Sequence, residues 1–208
     1  MGAPHDATRR PVTMVQFTAH ASQAFIASLL LVTGAAHLGG LSKLARLVRQ
    51  HRLIPDRASM PAALLVTAGE LAVAAAAVVG IVADDWRVRL AASAGAVLAS
   101  TCLLVYMRAL VRSGHRGSCG CTPLDGPLTI ASFAPAAGLG VAGLLGIAAS
   151  TAGDLQPLPA PSWAALGVVW GATLACLVVV LPATVPRGAG PTSPTGGRRR
   201  DDRLGVAR

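Results

Sequence analysis

Two cysteines one residue apart, Cys119-Gly120-Cys121, have the clearest chemical capacity in this 208-residue chain. A ring closed between such near neighbours restricts the unfolded chain very little, so the pair is a poor staple for folding. At this spacing two thiols act as a redox couple or as two ligands for a soft metal. Arg112, His115 and Arg116 precede the pair, and neighbouring cations favour the thiolate, which is the reactive form. Gly117 and Gly120 supply the backbone freedom that a Cys-Gly-Cys ring needs. Such a small ring is strained, and strained disulfides are the more oxidising ones. Cys119 and Cys121 are therefore the expected redox pair, with His115 and Arg116 holding one thiol ionised. The rival chemistry is a copper or zinc site in which Cys119 and Cys121 are joined by His115 or His37. Against it, no second Cys pair or His cluster completes a closed tetrahedral set.

Glu70 is the only glutamate and lies well inside an apolar stretch. A carboxylate at membrane depth is costly and normally faces a bundle interior with a partner. Its two readings are a proton acceptor and a polar clamp hydrogen-bonded to another helix. His37, near the end of an earlier apolar stretch, has the same two readings, proton handling or packing. Cys102 and Cys176 stand inside apolar stretches of their own and are expected to behave as small buried hydrophobes.

The elements that must position these residues are membrane helices. The chain is 53% hydrophobic and 13% charged, with a mean hydropathy of +0.58, whereas soluble domains carry about a quarter charged residues. Gly and Ala are abundant and aromatics scarce, which suits helices that approach closely in lipid. Five stretches reach the roughly 20 residues a bilayer crossing needs: 21–41, 61–83, 90–111, 128–149 and 163–181. The expected fold is an all-α polytopic bundle over 21–183, a four-helix core plus a fifth transmembrane helix. Disordered segments are expected at 1–20 and 184–208, the second a basic tail in contact with lipid. Gly34-Ala35-Ala36 after Arg9-Arg10 also has the look of a signal cleavage site, and Met14 is an alternative start to Met1.

Between the first two stretches, Leu41, Leu44, Leu47 and Val48 recur at helical spacing while Lys43, Arg46, Arg49 and Arg52 take the other face. That pattern predicts an interfacial helix ended by Pro55, with Pro61 opening the next span. Five crossings put the termini on opposite sides. One side receives Arg9, Arg10, Arg87 and Arg89; the other receives Lys43, Arg46, Arg49, Arg52, Arg57, Arg108, Arg112 and Arg116. Eight against four makes the second side cytoplasmic, with the N-terminus out, the C-terminus in and the Cys pair on the cytoplasmic face of a multi-pass cell-membrane protein. The net charge of +9 is thus spent on orientation. It comes with no aromatic stacking platform, and no nucleic-acid partner is expected.

Taken together, Ala36-His37-Leu38 leading to Ser42-Lys43-Leu44, the Arg52-Leu53-Ile54-Pro55 turn, Glu70, Cys119-Gly120-Cys121 and Pro127-Leu128-Thr129 resemble the MauE/DoxX-like redox-associated membrane proteins, named for methylamine utilisation. The resemblance spans about 21–149, and Cys-Gly-Cys is its specific element. Two departures stand out: Thr122-Pro123 follows the second Cys where Phe-Gly is common, and Pro135-Ala136 stands near where an Arg-Asn pair is common. The resemblance implies redox maturation of exported proteins beside a thioredoxin-fold partner; whether a quinone takes part is left open by the sequence. Two other functions are weighed against this relay: metal handling through the same thiols, and a non-catalytic assembly subunit of a membrane complex.

Overall fold

The computed structural model describes residues 9–114, 130–152 and 161–184, with side chains over 14–114, 132–152 and 165–177. The described elements are helices: α1 (Arg9–Gly39), α2 (Leu41–Gln50), α3 (Ser59–Val82), α4 (Trp86–Arg112), α5 (Ala134–Ala152) and α6 (Pro161–Thr184), with 3-10 turns at Asp56–Ala58 and Ile130–Phe133. Four apolar stretches are long enough to cross a membrane: Met14–Gly39, Asp56–Val82, Trp86–Arg112 and Ala134–Ala152. A shorter apolar helix, Ala165–Leu177, lies within α6. The outward faces carry Leu65, Val82, Leu98, Val105, Leu144 and Val169, an apolar coat that belongs against lipid. The all-helical, multi-span architecture expected above is the one observed.

α1 is the hub, packing against α3, α5 and α6. It brings Phe25, Ile26, Leu29 and Leu30 to the core, while its neighbours bring mainly Ala74, Ala77, Ala92, Ala96, Ala142 and Ala175. Large side chains on one helix filling against alanines on the others bring the backbones close, and dispersion can then hold helices that gain no hydrophobic advantage over lipid. The α1–α6 contact is the closest case. A Cβ on Gly167 would lie 3.1 Å from His20 Cβ, and one on Gly171 would lie 2.9 Å from Ala24 Cβ. Rising numbers on both helices make α6 parallel to α1. In contrast, Gly80 meets Arg89 and Gly95 meets Val73, so α3 and α4 are antiparallel. Ser100 donates to the Ala136 carbonyl at 2.7 Å and Gly143 meets Val97, which makes α4 and α5 antiparallel too.

Several expected boundaries move. α1 is already helical at Arg9, within the 1–20 segment expected to be disordered, because α6 packs on it as far back as Phe17 and His20. α2 is the expected interfacial helix, but it stops at Gln50 and not at Pro55. His51 caps it, and Arg52 at φ 53 turns the chain away. α5 begins at Ala134 after a 3-10 turn, later than the expected 128. Cys102 and Cys176 are exposed, not buried. At 100° per residue, Cys102 lies about 200° around α4 from the buried Ser100, on its outer face.

Candidate functional site

The site begins with a glycine. A Cβ on Gly34 would lie 2.9 Å from Leu71 Cδ2 and 3.5 Å from Glu70 Cβ. The bare backbone there lets α3 come close to α1, and His37, one turn further on, shares that face. His37 Nδ1 and Glu70 Oε2 are 2.8 Å apart, with the side chains 8% and 16% exposed. A carboxylate oxygen only accepts, so the imidazole presents Nδ1–H to it. Glu70 stands roughly 16 Å along α3 from Ser59, at 1.5 Å per residue, which is span depth. His37 lies two residues before α1 ends at Gly39. Gly40 then turns the chain into α2, its N–H donating to the His37 carbonyl at 3.0 Å.

Beyond the end of α1, α2 and the first turns of α3 form a further layer. Leu44 and Ala45 of α2 pack against Ala63, with Leu41 and Val48 beside them. At the end of α2 the His51 ring nitrogen Nδ1 and the Tyr106 hydroxyl form a short hydrogen bond, with the rings 5.7 Å apart and tilted 57°. His51 is buried. Following the α3–α4 register from Val73–Gly95 and Gly80–Arg89 puts Tyr106 level with Ala62 and Ala63. The His51–Tyr106 latch is therefore nearer the end of the bundle than Glu70 by about 10 Å, seven residues of helix.

Among the expected site residues, the structure joins His37 and Glu70 directly. The polar partner expected for Glu70 on another helix is this imidazole. Cys119, Cys121, His115 and Arg116 lie outside the described residues. Among the described residues no three His, Cys, Asp or Glu side chains gather as a metal site.

Polar contacts without a strong mark in the sequence include those of His51, Tyr106 and Gln23. His51 and Tyr106 form the latch; Tyr106 is the only tyrosine and His51 directly precedes the Arg52-Leu53-Ile54-Pro55 turn, which were the available signals. Gln23 is fully buried. Its amide donates to Ser93 Oγ at 2.8 Å and to the Arg89 carbonyl at 3.1 Å. A carboxamide inside an apolar stretch was the only signal for it.

Long apolar helices around a buried ionisable pair define a polytopic α-helical membrane protein. The family model for methylamine utilisation protein MauE matches residues 15–152, which run from α1 through α5, and the chain belongs to the MauE family. No curated protein and no solved structure matches it.

Proposed function

We propose that this MauE-family protein is a membrane-embedded thiol–disulfide relay serving the maturation of a partner protein, with Cys119 and Cys121 as its redox pair. The observation that carries the reading is the His37–Glu70 pair. It is an ionisable couple held between α1 and α3, in the half of the bundle where α4 ends and α5 begins, and those two helices are joined through the Cys-Gly-Cys segment. Intramembrane ionisable groups are functional by default, and a relay needs groups that take up and return protons as thiols cycle.

In the exchange, a thiolate of a thioredoxin-fold partner attacks one sulfur of the Cys119–Cys121 disulfide, and the internal S–S bond breaks as the mixed disulfide forms. The partner's second thiolate then attacks that mixed disulfide and leaves as an oxidised partner. Two electrons and two protons have passed to this chain, now a dithiol. Restoring the disulfide would need an acceptor of two electrons and two protons, chemistry that a quinone would supply on becoming a quinol. Arg116 and His115 favour the thiolate; His37 and Glu70 hold the protons. By the arginine distribution, the α2 end faces the cytoplasm, where the thioredoxin-fold partner is a cytosolic electron donor to the pair; disulfide assembly in an exported protein would instead put the pair outside.

Maleimide trapping in membranes tests the relay. A fraction of Cys119 and Cys121 is expected to resist labelling until a reductant is added, and Cys119→Ser is expected to abolish partner maturation. Thiols that are always reduced, or maturation unaffected by Cys119→Ser, would sink the proposal. Side-selective labelling of the same thiols tests the orientation, since labelling only from outside reverses it.

A further inference from the structure

The two ends of the bundle differ in how their charges are paired. At the α3–α4 turn Arg89 Nη1 lies 2.5 Å from Asp84 Oδ1, and Asp85 accepts from the Arg87 amide at 2.8 Å. At the other end, Arg46, Arg49, Arg52 and Arg57 are all exposed, and no carboxylate pairs with any of them among the described residues. The only acidic residue in that stretch is Asp56. α2 is docked by its apolar face on Ala63 and by the His51–Tyr106 latch, so its basic face is held outward.

Arg52 makes the case sharper. It follows the cap of α2 with φ 53, the left-handed position where helices usually place glycine because any Cβ costs about 1 kcal/mol or more. The chain keeps an arginine there despite that cost, and the side chain points to the exposed surface. Around these cations stand exposed Leu38, Leu53 and Met60, at the level where the α1 span ends and the α3 span starts. Apolar side chains directly beside cations at the end of a span match the boundary between acyl chains and phosphates.

We infer that the α2 face, with Arg46, Arg49, Arg52 and Arg57, is a binding platform for the phosphates of anionic lipid headgroups. The platform selects anionic over zwitterionic lipid, and it holds α2 in the headgroup layer above the His37–Glu70 pair. This assignment stands on the α2 surface and is independent of the thiol relay.

The test is native mass spectrometry of the full-length protein titrated with phosphatidylglycerol, phosphatidylcholine or inorganic phosphate. Phosphatidylglycerol is expected to be retained preferentially. Each arginine removed should weaken that retention about fivefold, the equivalent of roughly 1 kcal/mol per basic residue near an anionic surface. Arg52→Gly is the decisive variant, because glycine suits the left-handed backbone and the fold should unfold at the same temperature or higher. The triple variant Arg46→Gln, Arg49→Gln, Arg52→Gly should lose on the order of a hundredfold. Equal retention of the two lipids would overturn the inference, as would wild-type selectivity in the triple variant. Displacement of the lipid by millimolar inorganic phosphate would reassign the platform to a soluble anion.

Discussion

The bundle holds two buried polar sets, one towards each end, and they are built on opposite principles. Towards the α3–α4 turn, Gln23 joins α1 to α4 through neutral groups, an amide donating to the Ser93 hydroxyl and to a backbone carbonyl. Its neighbouring ion pair, Arg89–Asp84, is local in sequence and closes one turn. Towards α2, the joined groups are ionisable and far apart in sequence: His37 with Glu70, and His51 with Tyr106. Neutral hydrogen bonds at membrane depth are the inexpensive way to fix helix register. An ionisable pair costs more desolvation than it needs to for that purpose. A bundle that uses amides where it only has to pack, and a carboxylate with an imidazole in one place, supports the proposal that the second place carries the chemistry.

The largest expected effect comes from breaking the ionisable pair. Glu70→Leu leaves the His37 imidazole buried without its acceptor and should lower stability by about 3 kcal/mol, the lower end for one partner lost from a buried pair. Glu70→Gln keeps a carbonyl acceptor for Nδ1–H and should recover most of that stability. Yet Gln cannot exchange a proton, so relay turnover should stay as low as in Glu70→Leu. Thermal unfolding in nanodiscs, set beside maleimide trapping of Cys119 and Cys121, separates the two effects. Full turnover in a stable Glu70→Gln protein would show that the pair is only a clamp.

Gln23→Leu is the matched experiment at the other end. It takes the amide donor from Ser93 Oγ, and a buried polar group left unpaired costs about 1–3 kcal/mol, while the Arg89 carbonyl keeps its bond within α4. Its unfolding temperature should fall while thiol cycling per folded molecule stays at the wild-type rate. If Gln23→Leu slowed cycling as much as Glu70→Gln does, the division between a packing end and a chemical end would be lost.

How much of this was legible in the sequence follows the same division. Hydropathy located the spans, because a bilayer demands a length of apolar helix whatever the packing. The amphipathic pattern of Leu41, Leu44 and Val48 against Lys43, Arg46 and Arg49 located α2. Glu70 and His37 stood out as ionisable residues in apolar surroundings, and a partner for Glu70 was expected. That the partner is His37 depends on the close approach at Gly34, a tertiary fact with no local signature. His51 and Gln23 were passed over for the same reason: each is one polar residue whose meaning comes from a partner more than fifty residues away. The early start of α1 escaped because the 1–20 segment is weakly apolar, and its helix is packed by α6, a contact across the whole chain.

A smaller effect is expected at the latch. Tyr106→Phe keeps the ring beside His51 and removes the hydroxyl with its bond to the imidazole, so the loss should be at least about 1 kcal/mol, the net worth of a hydrogen bond. Its consequence should be local. Amide hydrogen exchange over Leu41–Gln50 should quicken while α3 and α4 keep their protection, because α2 retains the Leu44–Ala45–Ala63 contact but loses its far anchor. Exchange quickening uniformly through the bundle would mean that the latch supports the core and not α2 alone.

The smallest effect is expected where the two principles meet, at Gly34. A methyl group there would press on Leu71 Cδ2 at 2.9 Å, but that atom is the tip of a flexible side chain on the partly buried face of α3 and can rotate away. Gly34→Ala should therefore cost less than about 1 kcal/mol, a modest overpacking term offset by the better helix propensity of alanine. The matched change on the other side of α3, Gly80→Ala, should cost more, about 1–3 kcal/mol. Its methyl would meet the Arg89 backbone at 3.1 and 3.3 Å, and a backbone cannot rotate aside. Unfolding temperatures of the two variants check the order. A Gly34→Ala protein that unfolds well before Gly80→Ala would mean that the spacing between α1 and α3 is held rigidly, and that the His37–Glu70 distance is set by backbone packing more than by the hydrogen bond itself.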